Sequence, residues 1–180
     1  IQPLCRKVPP NGKPRQAAVR LLALASEHWQ IVGSGGQVTL DVTLEGKVAI
    51  ITGGARGQGA LESELFAKER AKVVICDILD QQGKDVEAKV LATGGDAVYS
   101  HLDVTRDDDW QQAVNLAESR YGKLDILVNN AGIARGASIE ETSEELWDEV
   151  LAVNTKGVFL GTRRAIPAMR RAGGGSIINV

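Results

Sequence analysis

Lys47-Val48-Ala49-Ile50-Ile51-Thr52-Gly53-Gly54-Ala55-Arg56-Gly57-Gln58-Gly59 is the stretch on which the fold of this chain turns. Its first six residues are a compact apolar run, the pattern of a strand covered on both faces. Gly53, Gly57 and Gly59 stand where such a strand must turn sharply into a helix, and Leu61, Leu65 and Phe66 then recur at helical spacing. A turn without β-carbons lets backbone N–H groups approach a pyrophosphate, and the helix N-terminus adds its positive dipole. A glycine cluster by itself carries little weight, because a tight turn with no ligand uses the same residues. A strand before it, a helix after it and an acid closing the next strand raise its weight considerably.

That acid is Asp77, which ends a second apolar run, Lys72-Val73-Val74-Ile75-Cys76. A carboxylate at this point meets the adenosine ribose in dinucleotide folds, where it accepts hydrogen bonds from the 2′- and 3′-hydroxyls of NAD. In NADP it would face the 2′-phosphate instead, and two like charges about 4 Å apart repel by up to ~4 kcal/mol at an intermediate dielectric. Arg56 pulls the other way, since a basic residue in the loop can pair with that phosphate. Asp77 points directly at the group in question, so NAD is expected over NADP. The alternative role for Asp77 is an exposed strand-end residue.

Outward from this unit, strand and helix signals alternate. Asp80 to Ala92 reads as a helix stopped by Gly94-Gly95, and Ala97-Val98-Tyr99 as a short third strand. Thr105 is placed to cap the next helix, with Asp107, Asp108 and Asp109 near the positive end of its dipole. Trp110, Ala113, Val114 and Ala117 supply that helix's inner face. Leu124 to Val128 is a fourth strand, and Thr142 with Glu145 suggests a capping box for a long helix carrying Leu146, Trp147, Val150, Leu151, Val158 and Leu160. Ser176 to Val180 opens a fifth strand. The alternation predicts an α/β fold, a Rossmann-type doubly wound parallel sheet with right-handed crossovers, cut short after its fifth strand.

Residues 1–43 differ from the rest. Pro3, Pro9, Pro10 and Pro14 break regular structure, and the charged side chains up to Ser26 are all basic. A secretory signal and a basic transit peptide are the functional readings; a disordered or non-native extension upstream of the true start is the plainer one, and it is preferred. Ser34-Gly35-Gly36 reads as a flexible joint. Residues 44–180 are then the nucleotide-binding domain. Among the 180 residues, 43% are hydrophobic, enough for a core, and the net charge of −2 gives no basic surplus to attract nucleic acid. Cys5 and Cys76 offer neither a disulfide framework nor metal-ligand spacing, and Cys76 is expected buried in its strand. No apolar run approaches membrane-spanning length, so a cytoplasmic protein with no membrane contact is expected.

These residues resemble the short-chain dehydrogenase/reductase family. Its T-G-x-x-x-G-x-G pattern is matched by Thr52, Gly53, Gly57 and Gly59; His101-Leu102-Asp103-Val104-Thr105 resembles its adenine-contacting segment. Asn129-Asn130-Ala131-Gly132 matches N-N-A-G, and Val153-Asn154-Thr155-Lys156-Gly157 matches the helix bearing the family's catalytic asparagine. The resemblance implies a cofactor site of Gly53, Arg56, Gly57, Gln58, Gly59, Asp77, Ile78, Asp103, Val104, Asn130, Ala131 and Gly132, with Asn154 as the one catalytic residue present and no metal. Asp103 would meet the adenine amino group, and Asn154 would bend the long helix and hold a water of the proton relay. Within the family the segments look most like NAD-dependent 3α(or 20β)-hydroxysteroid dehydrogenases. Hydride transfer between NAD and a secondary alcohol or ketone is therefore implied, in a homodimer or homotetramer when full length, since the family's long helix pairs with that of another chain.

Three departures stand out. Gln58 replaces an aliphatic residue, Arg70 stands where a glycine usually ends the first helix, and the family's Y-x-x-x-K is missing. Tyr99 and Tyr121 are followed four places on by Asp103 and Asp125. The resemblance places serine, tyrosine and lysine beyond Val180, so the chain as it stands is expected to be inert, and its helix face carrying Trp147, Val150 and Val158 to leave apolar surface. A non-catalytic nucleotide-binding or scaffold protein is the main alternative. A sugar-nucleotide epimerase is disfavoured because its glycine spacing is usually T-G-x-x-G-x-x-G.

Overall fold

The computed structural model describes residues 29–33, 36–40, 43–136 and 138–180, in two units taken separately. In the first, β1 (Trp29–Gly33) and β2 (Gly36–Leu40) pair antiparallel, with Trp29 opposite Leu40 and Gly33 opposite Gly36. The pair lies in the stretch read from sequence as a disordered or non-native extension, and Ser34 and Gly35 of the expected flexible joint lie outside the described residues. The proline-rich, basic segment read as an extension or targeting sequence, and Cys5 within it, lie outside the described residues.

In the second unit β3 (Val48–Thr52), α1 (Gly57–Lys68), β4 (Lys72–Asp77), α2 (Asp80–Ala92), β5 (Asp96–His101), α3 (Asp107–Tyr121) and β6 (Ile126–Asn129) alternate along the chain. Then come α4 (Glu144–Leu151), a π-helical turn (Ala152–Lys156), α5 (Gly157–Arg171) and β7 (Ser176–Asn179). All five strands are parallel, in the order β5-β4-β3-β6-β7. The chain winds from β3 through β4 to β5, then returns across the sheet to β6. Successive crossovers from the two sides of β3 leave in opposite directions, which opens a crevice at the C-terminal ends of β3 and β6.

Alternation along each strand feeds two cores. Val48, Ile50, Val74 and Leu127 pack with Trp110, Ala113, Ala165 and Met169 on one face. Ala49, Ile51, Val73, Ile75 and Val128 pack with Ala60, Ala67, Val86 and Val90 on the other. All of β3 is buried, as its unbroken apolar run requires. Trp110 is fully buried and satisfies its indole N–H on the Val104 carbonyl at 2.9 Å.

Local chemistry shifts two helix starts from their expected caps. The Thr105 hydroxyl donates to Asp103 Oδ1 at 2.7 Å, and α3 starts after Arg106 with no side-chain cap. The carboxylate, a charged acceptor, takes both the Thr105 N–H and O–H and leaves the hydroxyl no part in the helix. At α4 the cap is Ser143, whose Oγ accepts from the Leu146 N–H at 3.2 Å, while Thr142 donates to the Ser138 carbonyl. Arg70 has φ 68°, the left-handed conformation usually left to glycine, just after α1.

Candidate active-site cleft

The loop that leaves β3 is held from both neighbouring strands. On the β6 side the Thr52 hydroxyl donates to the Val128 carbonyl at 3.1 Å and accepts the N–H groups of Asn130 and Ala131, each at 3.0 Å. Asn130 Nδ2 returns a bond to the Thr52 carbonyl at 2.9 Å. On the β4 side, Asp77 Oδ2 accepts the Ala55 N–H at 3.0 Å and Oδ1 accepts the Leu79 N–H at 3.1 Å. A threonine and an acid at the tips of neighbouring strands thereby fix the turn into α1. Each carboxylate oxygen has a second lone pair, so Asp77 can still accept hydroxyl donors.

The glycines of this loop do different jobs. Gly57 has φ 56°, and a β-carbon there would meet no atom within 4 Å. Its bare backbone stands at the cleft beside the N-terminal end of α1. A β-carbon on Gly59 would lie 2.2 Å from the Gly53 carbonyl oxygen and 2.6 Å from Asn130 Nδ2. Gly59 is therefore glycine so that the first turn of α1 can press on the loop beneath it.

Gly53, Arg56, Gly57, Asp77, Ile78, Asp103, Val104, Asn130, Ala131 and Gly132 come together around one cleft of about 370 Å³. Gln58 and Gly59 are not in its wall. Gln58 Nε2 donates to Glu62 Oε1 at 2.9 Å, one turn along α1, which ties the side chain to its own helix. Leu79, Leu102, Ile133 and Val153 also line the cleft; Leu102 and Val153 stand inside quoted motifs without having been given a site role, and Leu79 and Ile133 carry no motif of their own. Thr52, quoted only as the first letter of a pattern, proves to be the hub of the loop's hydrogen bonds. A hydroxyl residue at a strand end just before a glycine turn was the available signal.

Asn154 lies in the π-helical turn between α4 and α5. Its amide makes a two-way clasp with one residue of the β6–α4 loop: Oδ1 accepts the Ile133 N–H at 2.9 Å and Nδ2 donates to the Ile133 carbonyl at 2.8 Å. The extra residue of the π turn re-aims the helix as it passes the cleft, and Val153 is the neighbour that reaches the wall.

Both tyrosines are committed elsewhere. The Tyr99 hydroxyl lies 2.6 Å from the Asp77 carbonyl and 2.8 Å from Asp80 Oδ1; Tyr121 donates to Asp96 Oδ1 at 2.9 Å. Burial pushes both phenols up, Tyr121 to about 12. A proton-transferring tyrosine needs the opposite shift, toward working pH. Burial also raises the Cys76 thiol, which makes it an inert core residue. Among the described residues, no group of three or more His, Cys, Asp or Glu could hold a metal, and no helix is long and apolar enough to cross a membrane.

A bare loop backbone, a helix N-terminus, an acid at the neighbouring strand tip and a partly apolar wall fit the parts of a dinucleotide in order. Comparison with known proteins identifies the family. The family model for short chain dehydrogenase matches residues 47–180. The chain is 47% identical over 137 residues to a 2,5-dichloro-2,5-cyclohexadiene-1,4-diol dehydrogenase of Sphingobium indicum, covering 76% of this chain and 55% of that protein. It is likewise 47% identical over 137 residues to a 3-alpha-(or 20-beta)-hydroxysteroid dehydrogenase of Mycobacterium tuberculosis, covering 76% and 52%. A cyclopentanol dehydrogenase of Comamonas testosteroni is 42% identical over 134 residues, covering 74% and 54%. The chain spans about half the length of the curated relatives it matches.

Proposed function

Because this chain belongs to the short chain dehydrogenase family, we propose that it is the cofactor-holding portion of an oxidoreductase that moves hydride between NAD(H) and a secondary alcohol or ketone. The cleft carries the proposal: ten residues from four separate segments converge on it. Gly53 and Gly57 with the start of α1 would receive the pyrophosphate, and Asp77 the adenosine ribose. Asp103 and Val104 would flank the adenine, while Asn130, Ala131 and Gly132 would take the nearer ribose. The bound dinucleotide would supply the hydride acceptor or donor; these residues hold and orient it.

NAD is favoured over NADP by Asp77, a residue only 9% exposed whose carboxylate is fixed in place by two backbone N–H groups. A 2′-phosphate beside it adds like charge where solvent screening is weak. Arg56, in the wall of the same cleft, is the counterweight. Calorimetric titration with NAD and NADP tests the assignment. NAD binding at least about tenfold tighter is expected, equivalent to ~1.4 kcal/mol; equal or tighter NADP binding would reassign the cofactor.

The names of the three relatives above each describe an alcohol of an alicyclic compound, and a substrate of that class, including a hydroxysteroid, is our choice for the complete enzyme. Residues 1–180 by themselves should bind dinucleotide without turnover, because neither tyrosine has the depressed pKa that proton transfer requires. Incubation with NADH and cyclic ketones should leave the NADH absorbance unchanged, and joining a segment with serine and Y-x-x-x-K should start the reaction. Self-association through α4 and α5 into a dimer or tetramer completes the proposal, and it draws on the exposed Trp147 and Phe159 there.

A further inference from the structure

The β4–α2 turn delivers three consecutive residues to the cleft, Asp77, Ile78 and Leu79, and Ile78 is 59% exposed. A turn that presents an acid and an apolar side chain needs its backbone held, and the holding groups come from β5 behind it. The Asp77 carbonyl accepts the Leu102 N–H at 3.0 Å and lies 2.6 Å from the Tyr99 hydroxyl. The same hydroxyl is 2.8 Å from Asp80 Oδ1, at the first turn of α2, and His101 Nδ1 is 2.7 Å from that oxygen. His101 and Tyr99 hold the Asp80 carboxyl below the usual carboxylate range. The Tyr99 hydroxyl thus faces oxygens on both the first and the last residue of the turn, which share its one proton.

Its ring is seated by an omission. A β-carbon on Gly83 would lie 2.1 Å from Tyr99 Cε2 and 2.3 Å from Cδ2, so α2 carries a notch that the ring fills. Tyr99 lines no part of the cleft itself. We propose that Tyr99 is a positioning residue for the adenosine end of the cofactor, its hydroxyl locking the Asp77–Asp80 turn to β5 so that the Asp77 carboxylate and the Ile78 wall keep one orientation. This rests on the reading of the cleft as a dinucleotide site.

Tyr99→Phe keeps the ring in its notch and removes only the hydroxyl. Calorimetry of the 180-residue chain with NAD and with AMP should show both affinities falling by the same factor, about 3- to 10-fold, the loss of one hydrogen bond. The melting temperature should fall by no more than about 4 °C. Gly83→Ala, which displaces the ring with its hydroxyl intact, should weaken both ligands at least as much. Unchanged AMP binding in Tyr99→Phe, or a loss confined to NAD, would overturn the positioning role while leaving the cleft assignment in place. Uptake of neither ligand by the unmodified chain would overturn the cleft assignment, and this role with it.

Discussion

From Val48 to Asn129 the chain encloses most of the apolar surface it makes, leaving Leu61, Leu65, Ile78 and Leu91 exposed; in the region from Glu144 onward, α4 encloses none of its own. Trp110 on α3 is fully buried, whereas Trp147 on α4 is 54% exposed. None of the eight residues of α4 is buried, yet its apolar residues fall on one side of the helix. Phe159 on α5 and Ile178 on β7 are exposed as well. The first region supplies four of the five parallel strands, the strand tips that shape the cleft and most of the core, which α5 completes with Leu160, Ala165, Ala168 and Met169. The second carries the π-helical turn that clasps the loop beside the cleft, and it presents an apolar surface of the kind that marks an interaction site. Fold stability should therefore rest on the first region together with α5, cofactor binding chiefly on the first region, and association on α4.

The sharpest way to break this division is to cut the two tryptophans in turn. Trp110→Ala should cost about 3–5 kcal/mol in urea unfolding, because a large, fully enclosed side chain leaves a cavity. If it costs less than 1 kcal/mol, the first region is not the stable unit described. Gly59→Ala comes next: its β-carbon would strike the Gly53 carbonyl, and backbone cannot step aside as a side chain can. A loss of about 1–3 kcal/mol is expected, with the cleft loop displaced. Gly57→Ala, by contrast, meets open space and should cost only the strain of a left-handed alanine, about 1–2 kcal/mol. Equal losses from the two, with equal effects on loop structure by NMR, would remove the distinction between them.

An acid titration gives a smaller effect. Asp107, at the start of α3, accepts from both Arg164 and Arg163 on α5, and these guanidiniums, Arg164 foremost, hold its carboxyl near about 2. A depressed carboxylate stabilises the fold fully above its ordinary range and loses that contribution as pH falls through its folded value. The stability difference between the wild type and Asp107→Asn should shrink as pH drops from about 4 toward 2, measured by melting temperature. A difference that grows over that interval would contradict the pairing. Trp147→Ala is the smallest: a change within about 0.5 kcal/mol is expected, with a shift toward smaller species in sizing chromatography. A large loss of stability would mean that α4 belongs to the core after all.

Much of the first region was legible because its signals are backbone requirements. A short, β-branched apolar run bounded by glycines favours an interior strand over a buried helix, and glycines between it and a helix favour a sharp turn. The acid at the next strand's end follows from the same geometry. The individual duties were less legible. Gly57 and Gly59 look alike in sequence but differ in what stands beside their missing β-carbons, and Gln58 turns to Glu62 because a neighbour one helical turn away is nearer than the cleft. The caps at Thr105 and Thr142 failed for a local reason: each hydroxyl found a competing acceptor a few residues away. Tyr99 carried no motif, since its partners are a carbonyl on one element, an acid on another and a notch on a third. In the second region the sequence announced one long helix, where the structure has α4, a π-helical turn and α5, and what covers it was implied only by the family resemblance.

Amide hydrogen exchange with and without NAD tests the central claim most directly, because it reads both regions in one experiment. Saturating NAD should slow exchange at Gly53–Gly59 and at Ile78 and Leu79, with α4 unchanged. Protection absent from the glycine loop and the β4–α2 turn, or found only in α4, would contradict the assignment of the cleft.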